Sequence, residues 1–338
     1  MKQKSIYVLV LLVLCSQLLL AQEKTLLLSK PGTFKIVDWG VYTHYDCGFT
    51  KTETTENYRK LTGLTEVVRR NPVMSTLRGI DCQAVLYINS CEPKDGYGIP
   101  CKVSFEFSSW SEENGKEQKW EIEPPSWGIY VNSLKTFSSG GFNFTCNIPT
   151  DPRGGFNMEQ WEKAAEKANE LFFMPGLKEN LAAGVDRYNG ENIVSYNPDR
   201  PPYWKPVTIR EVFNLLFQYW ELDPNQQSSD MMMKALKDEY ERFSETERNG
   251  YAFNGDPGSI SGIGKDDTGI PVMRVNPDYW DKRLPKSAIQ ILSFYCPADK
   301  ELIKSEREER LTNQDGSYHV SRFLEELNIL DFQGIVAR

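Results

Sequence analysis

Residues 102–108 read Lys-Val-Ser-Phe-Glu-Phe-Ser, with Val103, Phe105 and Phe107 alternating against Lys102, Ser104, Glu106 and Ser108. Strict period-two alternation is the mark of a strand with one buried face. The same alternation recurs on both sides. Phe142, Phe144, Cys146 and Ile148 alternate with Asn143, Thr145 and Asn147, and Trp120 and Ile122 with Lys119, Glu121 and Glu123. Residues 34–42 are strand-like but less regular, and Glu112-Glu113-Asn114-Gly115 supplies a polar turn. Residues 22–150 are therefore expected to form an antiparallel β-rich, sandwich-like domain.

After Pro152-Arg153-Gly154-Gly155 the apolar period becomes helical. Asn157 with Gln160 makes a capping-box pattern, and Trp161, Ala164, Ala165, Ala168, Leu171 and Phe172 share one face up to Pro175-Gly176. Thr208 with Glu211 opens a second helix whose stripe is Ile209, Val212, Phe213, Leu216, Tyr219 and Trp220. Asp223-Pro224 restarts the chain, and Met232, Leu236, Tyr240 and Phe243 follow at helical spacing. The triplet Met231-Met232-Met233 reads as core filling in preference to a soft binding surface. Ser287 to Cys296 is an apolar, strand-like run. Asp299 to Leu311 reads as a charged, exposed helix, and Ser317 to Leu327 as a short amphipathic one with His319 off the apolar stripe, in a solvated or capping role. The expected class is α+β: a signal peptide over 1–21, a β-rich domain over 22–150, and a mainly helical domain over 151–338 carrying a long Gly/Pro-rich loop at 251–280.

The signal peptide rests on Lys2 and Lys4, the apolar run Ile6 to Leu14 extended by Leu18 to Leu20, and Ala21 at the cut. Leu14 before Cys15 argues against lipidation at that cysteine. The remaining cysteines, Cys47, Cys82, Cys91, Cys101, Cys146 and Cys296, are even in number, which in an exported chain favours disulfides. Cys91 and Cys101 flank a turn-rich loop with Pro93, Gly96, Gly98 and Pro100, and are the expected bridge there. Their spacing does not suit zinc, and only His44 and His319 could assist, so no metal is expected. Cys47 with His44 could form a nucleophile and base, but a bridged cysteine is the preferred reading.

The chain has 338 residues and a net charge of −8; loss of Lys2 and Lys4 with the leader brings the remainder to −10. This acidity, with no basic block, argues against nucleic acid and anionic membrane surfaces as partners. The catalytic signatures fail on particular residues. Gly258-Ser259-Ile260-Ser261-Gly262 has isoleucine where a nucleophile elbow needs serine, and Gly264-Lys265 is followed by Asp266 where a P-loop needs serine or threonine. An EF-hand begun at Asp223 would meet Lys234 at its last ligand position. Asn143-Phe144-Thr145 is a glycosylation sequon inside an expected strand. No cofactor is implied.

The region 251–280 is the expected ligand site, because long irregular stretches in ordered chains are often functional. Asp256, Asp266, Asp267 and Arg274 offer charge there, and Tyr279 and Trp280 offer stacking surface. The opposing reading is a surface connector whose Trp280 plugs the core. The expected role is a secreted or periplasmic soluble binding or structural module, without a membrane span once the leader is removed. Its partner would be a polar small molecule, a glycan or an envelope protein. A carboxylate-dependent glycan hydrolase is the alternative, so sequence leaves open whether the chain is an enzyme.

Overall fold

The computed structural model describes residues 24–39, 49–88, 97–134, 137, 173–221, 226–256 and 262–336. The leader, Cys47, Cys91, Cys146, the sequon, the strand expected over 142–148 and the helix expected over 157–172 lie outside them.

In chain order the strands are β1 (Lys24–Leu26), β2 (Phe34–Asp38), β3 (Ile80–Ile88), β4 (Cys101–Glu113), β5 (Lys116–Lys119), β6 (Ser126–Val131), β7 (Lys178–Ala182), β8 (Val185–Tyr188) and β9 (Asn192–Tyr196). Then come β10 (Trp204–Pro206), β11 (Phe253–Asn254), β12 (Ile263–Gly264), β13 (Ile270–Pro271), β14 (Met273–Val275) and β15 (Ile291–Tyr295). The described helices are α1 (Lys51–Val68), α2 (Pro72–Ser75), α3 (Ile209–Trp220), α4 (Gln226–Glu241), α5 (Glu245–Arg248), α6 (Lys300–Thr312) and α7 (Tyr318–Glu325).

The architecture is mixed α/β around a ten-stranded sheet in the order β2-β3-β4-β6-β15-β9-β8-β7, with β1 and β5 paired to β4. β2 and β3 run parallel, and the other neighbours are antiparallel. Two small sheets, β10-β14 and β12-β11-β13, complete the described strands. The change of sequence period near residue 150 falls inside the large sheet's strand set: β2 to β6 precede it, and β7 to β9 and β15 follow it. β15 inserts between β6 and β9, so the second half of the apolar run Ser287 to Cys296, Ile291–Tyr295, is a central strand.

The opening heptapeptide lies in β4, and its alternation has the expected cause. Val103, Phe105 and Phe107 are fully buried. They pack with Ala84 and Leu86 of β3, Ile129 of β6 and Phe294 of β15. Each such side chain stabilises the fold by roughly 1.5–3 kcal/mol through area removed from water. Helices cover this face among the described residues, where a sandwich would place a second sheet: Leu61, Leu64 and Val68 of α1 and Phe323 of α7 close the core. α1 lies in the stretch read as mainly β. Its many β-branched threonines lower helix propensity, but Thr50 and Glu53 form a reciprocal capping box that starts it. Asn114 and Gly115 both have positive φ, at 53° and 70°, and turn β4 into β5. That is the primed geometry which matches strand twist. β5 ends at Lys119, and Ile122 beyond it is exposed rather than continuing an alternating strand.

Several helix boundaries follow the capping chemistry. The Thr208 amide donates to Glu211 at 2.8 Å, and the Glu211 amide donates to the Thr208 hydroxyl at 3.2 Å, opening α3. Asp299 accepts from the Leu302 amide at 2.9 Å, opening α6. α3 buries Ile209, Val212, Phe213 and Leu216 against Leu236 of α4, forming a second core. The methionine triplet divides between roles: Met232 and Met233 pack partly on that core, while Met231 is exposed. α7 corrects one expectation: His319 is not solvated but fully buried, with neither ring nitrogen hydrogen-bonded.

Candidate functional site

The residues expected to bind a ligand separate by burial. Tyr279 and Trp280 are only 1% and 3% exposed, inside an aromatic cluster with Phe173, Tyr188, Tyr203 and Trp204. Their rings serve as core, not as stacking surface. Arg200 fixes this turn by donating to the carbonyls of Asp278, Tyr279 and Trp280 at 3.1, 2.7 and 2.9 Å. The Tyr279 hydroxyl accepts from the Asn197 amide at 3.0 Å and donates to the Gln290 carbonyl. Asp256 and Asp267 are exposed. Asp266 is exposed too, and its carboxylate accepts from the Thr268 amide and hydroxyl, which hold it below its ordinary pKa. Arg274 pairs with Glu211 at 3.3 Å, tying β14 to α3. The loop's acids and its aromatics therefore do separate jobs.

Beside that cluster lies a buried polar centre. Asp186 of β8 has no exposed surface. Its Oδ2 accepts from the Tyr203 hydroxyl and Lys178 Nζ, both at 2.7 Å. Its Oδ1 accepts from Asn180 Nδ2 at 2.9 Å and from the Tyr196 hydroxyl at 3.4 Å. Tyr203 in turn shares a 2.7 Å contact with the Tyr188 hydroxyl. Burial, and then the neighbouring tyrosine and carboxylate, push the Tyr203 hydroxyl far above its usual range. Every acceptor direction of the carboxylate is occupied, two of them by the exposed Lys178 and Asn180, so this is a structural network and not a base awaiting substrate.

A different region offers access. Where β15 leaves the sheet, a groove of about 510 Å³ opens between the β8–β9 turn and helices α6 and α7. The backbone explains its shape. Asn189 and Gly190 both have positive φ, at 50° and 75°, making a tight hairpin that presents Glu191. The Cys296 amide donates to the Glu191 carbonyl at 2.7 Å and the Ala298 amide to the Gly190 carbonyl at 2.6 Å, docking this hairpin beside the strand exit. Pro297 breaks the ladder, and Asp299 then starts α6.

The groove has an aromatic base, an apolar wall from Leu302, Ile303, Val320 and Leu324, and a set of polar side chains. Trp127 is buried and donates its indole N–H to the Tyr295 carbonyl at 2.7 Å. Tyr295, the last residue of β15, is 43% exposed. Its hydroxyl pKa is raised, first by partial burial and then by the Glu191 and Glu306 carboxylates. Arg310 pairs with Glu306 at 3.4 Å and donates to the Ser321 hydroxyl at 2.6 Å. Asp299 is occupied in capping α6. The arrangement can stack an apolar ring face on Tyr295 while carboxylate acceptors and a guanidinium donor meet hydroxyl groups. These residues lay outside the expected loop. The signal that could have located them is Asn189-Gly190 between Tyr188 and Glu191, a strong hairpin dipeptide.

Among the described residues, no three His, Cys, Asp or Glu side chains gather as metal ligands. No described helix is long and apolar enough to cross a membrane. Cys82, Cys101 and Cys296 are buried free thiols in this structure. Burial pushes the Cys101 thiol up to about 12, and its sulfur accepts from Asn57 Nδ2 at 2.9 Å. A thiol so raised makes a poor nucleophile at neutral pH. No family model, curated protein or solved structure matches the chain.

Proposed function

We propose that the chain is an exported binding module, secreted or periplasmic, whose groove beside Tyr295 holds a polar, sugar-like ligand. The observation that carries this reading is a half-exposed aromatic ring ending a rigid central strand, with Glu191, Glu306 and Arg310 around it. Sugars present apolar ring faces and polar edges, which this combination suits. Such sites are commonly concave, with a few convergent polar groups. The glycan-hydrolase alternative needs one carboxyl free to donate a proton and another to attack or to activate water. Asp299 is bound in a helix cap and Glu306 in an ion pair, which favours binding without turnover.

The test uses the chain from Gln22 onward, titrated with a panel of glycans and peptidoglycan fragments. Tryptophan fluorescence reads binding through Trp127, and chromatography reads product release. Saturable binding without product, lost in Tyr295→Ala, is expected. Product release abolished by Glu191→Gln would establish the hydrolase instead. Export further implies at least two disulfides among Cys47, Cys82, Cys91, Cys101, Cys146 and Cys296, with Cys91–Cys101 the first pair to seek. Mass analysis of the unreduced exported chain that finds six free thiols would reject this.

A further inference from the structure

A second groove, of about 530 Å³, lies where α3, α4 and α5 meet. Its floor is apolar: Phe217 from α3, and Met233 and Tyr240 from α4. The Phe217 and Tyr240 rings meet edge to face, 6.1 Å apart. Its rim is basic, with Lys234, Lys237 and Arg248, against the single acid Glu241. Arg248 lies over the Tyr240 ring at 4.2 Å and donates Nη2 to the Tyr240 carbonyl at 3.2 Å. Its Nε is buried and has no acceptor. Among the described residues no carboxylate pairs with Lys234 or Arg248. Lys237 reaches Glu241 only at 4.0 Å, with both side chains largely in solvent, where such pairs are weak.

We propose that this groove binds a small anionic amphiphile, a single aliphatic tail carrying a carboxylate-type head. The charge distribution supports the head. The chain carries a net charge of −8, so a rim with three cations and one anion runs against the general field and favours an anion locally. An ammonium head would meet those same cations. The floor supports the tail, because a compact anion would leave Phe217 and Met233 uncovered, whereas methionine adapts readily to aliphatic chains. Size decides against a docked protein helix. The volume falls in the range of roughly 300–1,000 Å³ typical of small-molecule sites, and the groove has seven lining residues. A stable protein interface engages about 20–30 residues a side. The site is separate from the Tyr295 groove and shares no lining residue with it.

The test is calorimetric titration of the folded chain at low salt with dodecanoate, kept below its micelle-forming concentration. Dodecyltrimethylammonium serves as the tail-matched cation. One dodecanoate per chain is expected, with no saturable binding of the ammonium compound. The double variant Lys234→Glu/Lys237→Glu alters exposed side chains and should melt at the parent temperature. It should bind dodecanoate at least tenfold more weakly, and Met233→Asp should reduce binding as well. Tyr295→Ala should leave dodecanoate binding unchanged. Absence of dodecanoate binding, equal binding of the two amphiphiles, or full affinity in the charge-reversed variant overturns the proposal. So does cosedimentation with anionic phospholipid vesicles without binding of monomeric dodecanoate.

Discussion

His319 should make the fold acid-sensitive in a measurable way. The imidazole is fully buried, meets the Tyr318 ring edge to face at 5.0 Å, and hydrogen-bonds through neither nitrogen. Gly79 passes so close that a Cβ added there would sit 3.1 Å from His319 Cε1. Burial, reinforced by the charge of Arg322, lowers its pKa from 6.5 to about 3. The folded state thus binds this proton more weakly than the unfolded chain. The neutral ring's contribution is complete above pH 6.5 and is lost progressively as pH falls toward 3. At pH 4.5, two pH units below the unfolded value, the loss is on the order of 2–3 kcal/mol. His319→Leu removes the titration and two unsatisfied polar atoms, each costing roughly 1–3 kcal/mol when left unpaired. Urea unfolding at pH 7 and pH 4.5 checks this. The parent should lose on the order of 2–3 kcal/mol more than His319→Leu across the interval, and the variant should be at least as stable at pH 7. Carboxylates titrate in both proteins and cancel in the comparison. Parallel pH dependence in the two would refute a buried, neutral His319.

Three further outcomes bear on the core and the groove. Asp186→Ala leaves the buried Tyr203 hydroxyl without its acceptor and should destabilise by about 1–3 kcal/mol in denaturant unfolding; a change below about 0.5 kcal/mol would mean the network does not hold the fold. Trp280→Ala should cost about 3–5 kcal/mol by opening a core cavity, while the exposed Asp267→Ala should stay within about 0.5 kcal/mol; the reverse order in melting experiments would restore the loop as a binding surface. Gly190→Ala has open space around it but holds φ at +75°, so the cost is conformational, about 1–2 kcal/mol. It should also weaken any glycan bound near Glu191, and unchanged binding would detach the hairpin from the site.

Much of the fold was legible in local patterns, because those patterns record burial. The alternation of β4, the Thr208–Glu211 cap of α3, the Asp299 cap of α6 and the apolar run of β15 all appear where the residues direct them. What local pattern does not encode is which strand neighbours which. β15 enters the sheet between β6 and β9 from far along the chain, a pairing set by the sheet as a whole. α1 was obscured for another reason. Its threonines lower helix propensity, yet tertiary burial of Leu61, Leu64 and Val68 overrides that preference.

The candidate site was harder to read, because exposure is a tertiary property. Tyr279-Trp280 and Tyr295 are all aromatic residues near turns, but only the adjacent pair lies in the long irregular loop that marked the expected site. In the fold that pair is buried and Tyr295 is half-exposed. The Arg200 guanidinium draws the turn carrying Tyr279 and Trp280 into the aromatic cluster. Pro297 and the Asp299 cap instead carry the chain out of the sheet directly after Tyr295. The cause in each case is a partner distant in sequence. Arg200 lies some 80 residues before the turn it holds, and Gly190 lies more than 100 before the Ala298 amide that docks its hairpin. A candidate site in this chain therefore follows from where backbone carbonyls find donors, and only secondarily from where aromatic and acidic residues cluster in sequence.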